Sequence, residues 1–294
     1  MPAVNEKIGI IGVGRLGFHL AIMLKEADYQ ISIVIDKDTY KAIKCMNECN
    51  ALVSSDSISD IDNDVTILLI CVQDDNISDI AEKLAYNDNL NKNIIVCHTS
   101  GLHTSNILNA VNKKDIHRCS FHPCFSFTEE NDKLPEDIYY AIEGDDEGYA
   151  RLAAVAECLG GKPFRINKNE KAVYHTACSM ASNFLVALMQ MVDDLLKENI
   201  ETKNSDFIWP LVKGTLYNIQ QKGINDSLTG PIIRGDAKTI EQHLITLKHF
   251  DKAVVDLYIF LCRRLLDIVK DKGLPKEDIR KIEKIFKKYK SGKL

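Results

Sequence analysis

The chain has 294 residues, of which 45% are apolar and 27% charged, with a formal net charge of −5. That length can bury a sizeable core and suits two domains, and the composition is ordinary for a soluble globular protein. The acidic balance gives no general reason to expect nucleic acid. No apolar run reaches the length of a membrane span, because the uncharged stretch from Ala172 to Val192 is broken by His175, Ser179, Asn183 and Gln190.

The first strand is expected almost at once, over Ile8 to Val13, so no signal peptide is read and a cytoplasmic location is expected. It breaks into Gly12-x-Gly14-x-x-Gly17 at the start of a helical pattern near Arg15. Gly12 suits a tight turn, Gly14 lets a pyrophosphate approach the backbone, and Gly17 lets helix and strand pack closely. The helix beginning at Arg15 and Leu16 aims unpaired N–H groups and its positive dipole end at the phosphates. A second strand, Ile31 to Ile35, ends on Asp36, nineteen positions past Gly17, where a carboxylate can accept both ribose hydroxyls of an adenosine. Strand, helix and acid together point to dinucleotide binding; a glycine-rich turn without ligand is the alternative.

Further along, a helix is expected over Lys37 to Asn50, a short strand near Ala51 to Ser54, and a buried strand over Asp64 to Val72. Then come a helix over Asp74 to Tyr86, a strand over Asn93 to Cys97, and a short helix over Ser105 to Val111. Strands through Ile116 to Phe121, Tyr139 to Ile142 and Pro163 to Ile166 follow, the last two around a helix over Glu147 to Leu159. Strands alternating with helices imply a doubly wound, mostly parallel sheet, with ligands beyond the carboxyl ends of its strands. The segments at that edge are Gly12 to Gly17, Asp36, Val72 to Asp74, His98 to Gly101, and His122-Pro123.

Near Asn167 the strand pattern stops, dividing an α/β domain, 1–167, from an all-α domain, 168–294. One helix is expected over Lys171 to Lys197, with Val173, Ala177, Met180, Ala181 and Phe184 on a broad apolar face. Others cover Ser205 to Gln221, Asp236 to Leu247, Phe250 to Val269 and Lys276 to Tyr289, the last a basic helix with an apolar stripe. Nine cysteines, odd in number and without Cys-x-x-Cys, read as small buried residues in a reducing compartment. Cys97, His98, His103, Cys119, His122 and Cys124 flank two strand ends, but their spacing fits no zinc pattern, so no metal is expected.

Polar residues stand out against this frame. At about 100° per residue His175, Ser179, Ser182 and Asn183 share one helical face, and no charge intervenes between Lys171 and Asp193. That favours a shielded pocket wall over a solvated face. His98, Thr99 and Ser100 could hold a substrate carbonyl; a hydrogen-bonded turn with Gly101 at positive φ is the other reading. His122 is a substrate-side candidate or a satisfied core residue. Arg234 could bind a carboxylate, and Asp236 has a rival role as a helix N-cap.

Taken together, His98-Thr99-Ser100-Gly101, Phe121-His122-Pro123, Tyr174-His175 with Ser182-Asn183-Phe184, and Leu228-Thr229-Gly230-Pro231 with Arg234-Gly235-Asp236 and His243-Leu244 resemble one family. It is classed among NAD(P)-dependent oxidoreductases: a Rossmann-like domain followed by a helical domain of unassigned function. The family is similar to pyrroline-5-carboxylate reductase and to the 6-phosphogluconate dehydrogenase-like enzymes, whose helical halves commonly dimerise. The resemblance implies a 6-phosphogluconate dehydrogenase C-terminal-like helical domain and a homodimer formed through it. Val72-Gln73-Asp74 departs from the Val-Pro-Asp usual beside the nicotinamide. Asp36 favours NAD, while Lys37, Lys41 and Lys44 leave NADP open. The hydroxyacid dehydrogenase cousins place a lysine four residues before a helical asparagine. Here Ser179 precedes Asn183 by four, so a lysine mechanism is not carried over. The expected activity is hydride transfer between a nicotinamide and a small polar keto, hydroxy or imino acid-like substrate bound between the two domains. His175 would be acid or base, Asn183 and Ser100 would orient the substrate, and Arg234 would bind its anion. A non-catalytic NAD(P)-binding regulator or assembly protein is the alternative. No nucleic-acid or membrane partner is expected.

Overall fold

The computed structural model describes residues 6–113, 115–127, 137–201 and 205–290. They form two compact units, Met1–Leu185 and Val186–Leu294. The first is built on eight strands: β1 (Lys7–Ile11), β2 (Gln30–Ile35), β3 (Val53–Ser55), β4 (Ile67–Ile70), β5 (Ile95–His98), β6 (His117–Pro123), β7 (Tyr139–Glu143) and β8 (Lys162–Arg165). Their order is β3-β2-β1-β4-β5-β6-β7-β8, and only the β6–β7 pair is antiparallel. The order reverses direction between β1 and β4, which opens a crevice at the carboxyl edge where such sheets bind ligands.

Burial on both faces explains why these strands read as unbroken apolar runs. Successive side chains point to opposite faces. Ile8, Ile10, Ile67 and Leu69 therefore pack with helices α1 (Arg15–Glu26), α2 (Thr39–Cys49) and α4 (Asp146–Cys158). Ile11, Leu68 and Ile70 pack against α3 (Ile77–Ala85) on the other side. Two expected helices shorten. Ser105–Leu108 is a single 3₁₀ turn, held by the Glu143 carboxylate, which accepts from the Ser105 backbone N–H at 2.5 Å and hydroxyl at 2.9 Å. Asp74–Asn76 is likewise 3₁₀ before α3 begins.

The single helix expected over Lys171 to Lys197 is two, α5 (Lys171–Ala181) and α6 (Asn183–Asn199). Ser182 interrupts them at φ −110°, ψ −71°. Strand composition ends near Asn167 as expected, but the compact units divide later, because α5 packs on the sheet through Lys171 and Tyr174. By length and composition Lys171–Lys197 would suffice for a membrane span. The break at Ser182 and the anchoring of Lys171 among sheet residues argue against that use. The apolar face expected to be covered is open: Val173, Met180 and Phe184 are all more than half exposed.

In the second unit α8 (Ala237–Leu247), α9 (Lys252–Lys270) and α10 (Lys276–Lys290) enclose a core that includes Ile240, Leu244, Ile259, Leu266, Ile282 and Phe286. Here α7 (Trp209–Lys222) starts with Pro210 in its first turn and ends at Gly223, where φ is 80°. Asp236 takes the N-cap role, accepting from Thr239 N–H at 3.1 Å. The basic α10 buries its apolar stripe and turns Lys288 to Glu241 at 3.0 Å.

Candidate nucleotide and catalytic site

Gly12 adopts φ +88°, a conformation other residues resist, and donates its N–H to Ile35 O at 2.7 Å. A Cβ on Gly17 would lie 1.9 Å from Gly12 O, so the turn and α1 touch backbone to backbone. A Cβ on Gly14 would meet nothing within 4 Å. That open space faces the start of α1, which has no side-chain cap and no acid in its first turn. Uncapped N–H groups beside open space are what a pyrophosphate needs. Arg15 is exposed and Leu16 half-buried in that first turn. Asp36 closes the other side, accepting from Val13 N–H at 2.9 Å and Asp38 N–H at 3.0 Å. Val72 lies against Gly12, and Gln73 is exposed beyond it. The residues present thus fit a dinucleotide.

The β5 end is organised differently from the expectation. His98 is fully buried and both its ring nitrogens are engaged, Nδ1 by Ser100 N–H and Nε2 by Thr104 O, each at 3.2 Å. Burial, with the Lys171 charge second, lowers its pKa to about 3. Thr99 donates its hydroxyl to Ile70 O at 3.3 Å. Ser100 donates to Asp74 Oδ2 at 2.8 Å and accepts from Leu102 and His103 N–H, so its hydroxyl is already committed. Gly101 is not at positive φ. It is required by close approach instead: a Cβ there would sit 2.7 Å from His175 Cδ2 and 2.8 Å from His122 Nε2. Gly101→Ala should therefore push the two imidazoles off this floor, read as shifts of the His122 and His175 ring resonances by NMR with the fold intact by circular dichroism.

Over that glycine stand His122 and His175, ring centroids 6.3 Å apart. His122 Nδ1 lies 2.8 Å from the Tyr174 hydroxyl. Burial first, then the charge of Lys171, lowers the His122 pKa to about 4, while burial raises that of Tyr174. Both groups are therefore neutral near pH 7. The unfolded chain binds protons on His98 and His122 at the ordinary value near 6.5, the folded chain only near 3 and 4. Stability from these groups is then complete above about pH 6.5 and is lost as pH falls toward 4, by up to about 1.4 kcal/mol per pH unit for each histidine. Urea midpoints at pH 7, 6 and 5 should decline in that order.

A residue outside the expected set lies at the centre. Lys171 is 1% exposed and donates to Ser100 O at 3.0 Å and to Ser120 Oγ. Burial lowers its pKa to about 8, opposed by Glu143 and Asp74. It stands four residues before His175, on the same face of α5. The signal in the sequence is a lysine four residues before a helical polar residue, here His175 in place of the cousins' asparagine. Asn183 itself is exposed at the start of α6, and Ser179 is half-buried on α5. Arg234 is exposed in the second unit, near Asp236.

Residues 2–123 match the Rossmann-like domain and residues 138–265 the Domain of unknown function (DUF2520). No curated protein matches the chain. Among solved structures, the "putative NADP oxidoreductase BF3122" from Bacteroides fragilis is 21% identical, with a TM-score of 0.74 over 90% of this chain and 98% of that one. Protein TM1727 from Thermotoga maritima is 27% identical, with a TM-score of 0.71 over 91% and 100%. A pyrroline-5-carboxylate reductase from Coxiella burnetii is 12% identical, with a TM-score of 0.61 over 92% and 100%. The fold is thus one shared with oxidoreductases, and the chain joins a Rossmann-like domain to a DUF2520 domain.

Proposed function

We propose that the chain is a nicotinamide-dependent dehydrogenase or reductase acting on a small polar keto, hydroxy or imino acid-like substrate. One observation carries this reading: a single sheet edge holds the glycine turn with Asp36 and, over Gly101 at the end of β5, two imidazoles carried on β6 and α5. The nicotinamide, when bound, supplies or accepts the hydride. Backbone N–H groups at Arg15 and Leu16 would hold the phosphates and Asp36 the ribose hydroxyls, with Val72 and Gln73 beside the turn. His175 gives or takes the substrate proton. The protonated Tyr174 phenol can donate to His122 Nδ1, which leaves N–H on Nε2, the atom facing Gly101, to orient a substrate oxygen. Ser100 acts through the turn it ties to Asp74, and Lys171 holds that turn from below.

Two of the neighbours carry names that support this reading, the Bacteroides fragilis protein as an NADP oxidoreductase and another as an imine reductase from Pseudomonas sp.. A third, the prephenate dehydrogenase from A. aeolicus, is described in complex with NAD+. The Asp36 carboxylate would repel a 2′-phosphate, which favours NAD, with Lys37, Lys41 and Lys44 the residues that could offset it. Fluorescence titration of wild type and Asp36→Ala with NADH and NADPH, then a screen of keto acids and cyclic imines, tests the reading. The expected result is tight NADH binding, weakened at least about tenfold in Asp36→Ala, with turnover that collapses in His175→Ala while NADH affinity holds. Unchanged turnover in His175→Ala removes it from the mechanism.

One observation favours the alternative, a nucleotide-binding protein without turnover: His98, Thr99 and Ser100 are buried, and their side chains are engaged within the protein. Binding without turnover across the whole screen would support it. The second unit offers an apolar groove of about 460 Å³, lined by Leu188, Leu195, Phe250, Val254 and Leu261 among others. We propose that a second copy of the chain covers it, which sedimentation equilibrium of wild type and Leu261→Glu would test.

A further inference from the structure

The nine cysteines do not all read as small buried residues. Cys45, Cys49, Cys97, Cys119 and Cys262 are buried, but Cys124 is exposed and Cys178 is half-buried. These two, 54 residues apart in the chain, bring their Sγ atoms to 3.7 Å. Cys124 follows β6 and is held by its N–H to Tyr139 O at 2.8 Å. Cys178 lies on α5, one turn beyond Tyr174. A disulfide has sulfurs about 2.05 Å apart, so the pair needs to close by only about 1.7 Å. Cys45 and Cys49, which also interact, are closed off in the core on the buried face of α2.

We propose that Cys124 and Cys178 are a reversible disulfide site that takes hydroperoxides as oxidants and dithiols as reductants. Exposure puts Cys124 first. Its thiolate attacks the terminal hydroperoxide oxygen, the O–O bond breaks, the alkoxide leaves as an alcohol with the proton the thiol gave up, and Cys124 becomes a sulfenic acid. Cys178 sulfur then attacks the Cys124 sulfur, the S–S bond forms, and the expelled hydroxide leaves as water with the Cys178 proton. Two thiols lose two electrons, and the hydroperoxide becomes one alcohol and one water. Burial and the neighbouring Cys124 charge both raise the Cys178 pKa. The second of these vanishes once Cys124 is the neutral sulfenic acid, which suits Cys178 to the second step. A dithiol reverses the bond by exchange and is itself oxidised to a disulfide. Such bonds in a reducing compartment are transient ones. This one would tie together the two elements that carry His122 and His175.

The test uses the reduced full-length chain and hydrogen peroxide, with the remaining thiols alkylated under denaturing conditions and the peptides mapped by mass spectrometry. The expected product is one Cys124–Cys178 cross-link with the other seven cysteines alkylated, and dithiothreitol restoring all nine. In Cys178→Ser, dimedone should label Cys124. In Cys124→Ser, peroxide should modify Cys178 at least about tenfold more slowly than it modifies Cys124 in Cys178→Ser. Alkylation of both Cys124 and Cys178 after peroxide has consumed other thiols would overturn the proposal. So would pairing of either residue with a different cysteine.

Discussion

Gly17→Ala should abolish NADH binding while leaving the fold intact by circular dichroism. The added Cβ would stand 1.9 Å from Gly12 O, and the obstructing atom is backbone, so no rotamer change relieves it. Either α1 moves away from the turn or the turn opens. Both outcomes displace the N–H groups at Arg15 and Leu16 from a common phosphate position, and an error of about 1 Å in such a cradle costs orders of magnitude in affinity. Gly14→Ala is the informative companion, because its Cβ meets nothing within 4 Å of the protein. It should fold with wild-type stability and still lose affinity, since its methyl group meets no atom of the described residues and stands where the ligand is proposed to lie. Full NADH affinity in Gly14→Ala would show that the phosphates lie elsewhere.

Lys171→Met should change the chemistry far more than the stability. The substitution removes a charge-assisted hydrogen bond to Ser100 O, worth about 1.5–3 kcal/mol. It also removes the cost of holding an ammonium group out of water, which is several kcal/mol. These oppose one another, and Ser120 Oγ still reaches Ser100 O at 3.5 Å. The net change in urea stability at pH 7 should therefore stay within about 2 kcal/mol. His98 and His122 lose the same positive neighbour, the second-largest cause that keeps each of them neutral. The His122 pKa should rise from about 4 toward the ordinary 6.5, read by NMR titration of the imidazole. The acid limb of the pH–rate profile should move to higher pH with it. If stability collapses and the His122 titration stays where it was, Lys171 is a strut and not an electrostatic positioning residue.

The glycine turn of the candidate site was legible because its requirements are local. Gly12, Gly14, Gly17 and Asp36 sit on one strand, one turn and the end of the next strand. Glycine at those spacings states a backbone need directly, as φ +88° at Gly12 and the 1.9 Å approach at Gly17 bear out. Unbroken apolar strands alternating with helices likewise foretold a sheet buried on both faces, and the loss of strand pattern near Asn167 marked where helices take over. The long helix was misread in two respects. Ser182 gave no breaker signal, and a face rich in Val173, Met180 and Phe184 is indistinguishable in sequence from a core-facing stripe.

The end of the candidate site beyond β5 and β6 was legible only in residue type. Gly101 was read as a turn glycine, but its need arises from imidazoles carried on β6 and α5. Ser100 and His98 had the right chemistry at the right edge, yet Asp74, Thr104 and two backbone amides already engage them. Lys171 meets Ser100 across 71 residues and Ser120 across 51, and Cys124 meets Cys178 across 54. The sequence by itself thus determined the α/β-then-α organisation and the glycine turn after β1, because periodicity and glycine spacing act between near neighbours. Tertiary structure alone decided which histidine is sealed, which pair stands over Gly101 and which lysine lies beneath. Burial and hydrogen-bond partners belong to atoms that are distant in the chain, and no local pattern encodes them.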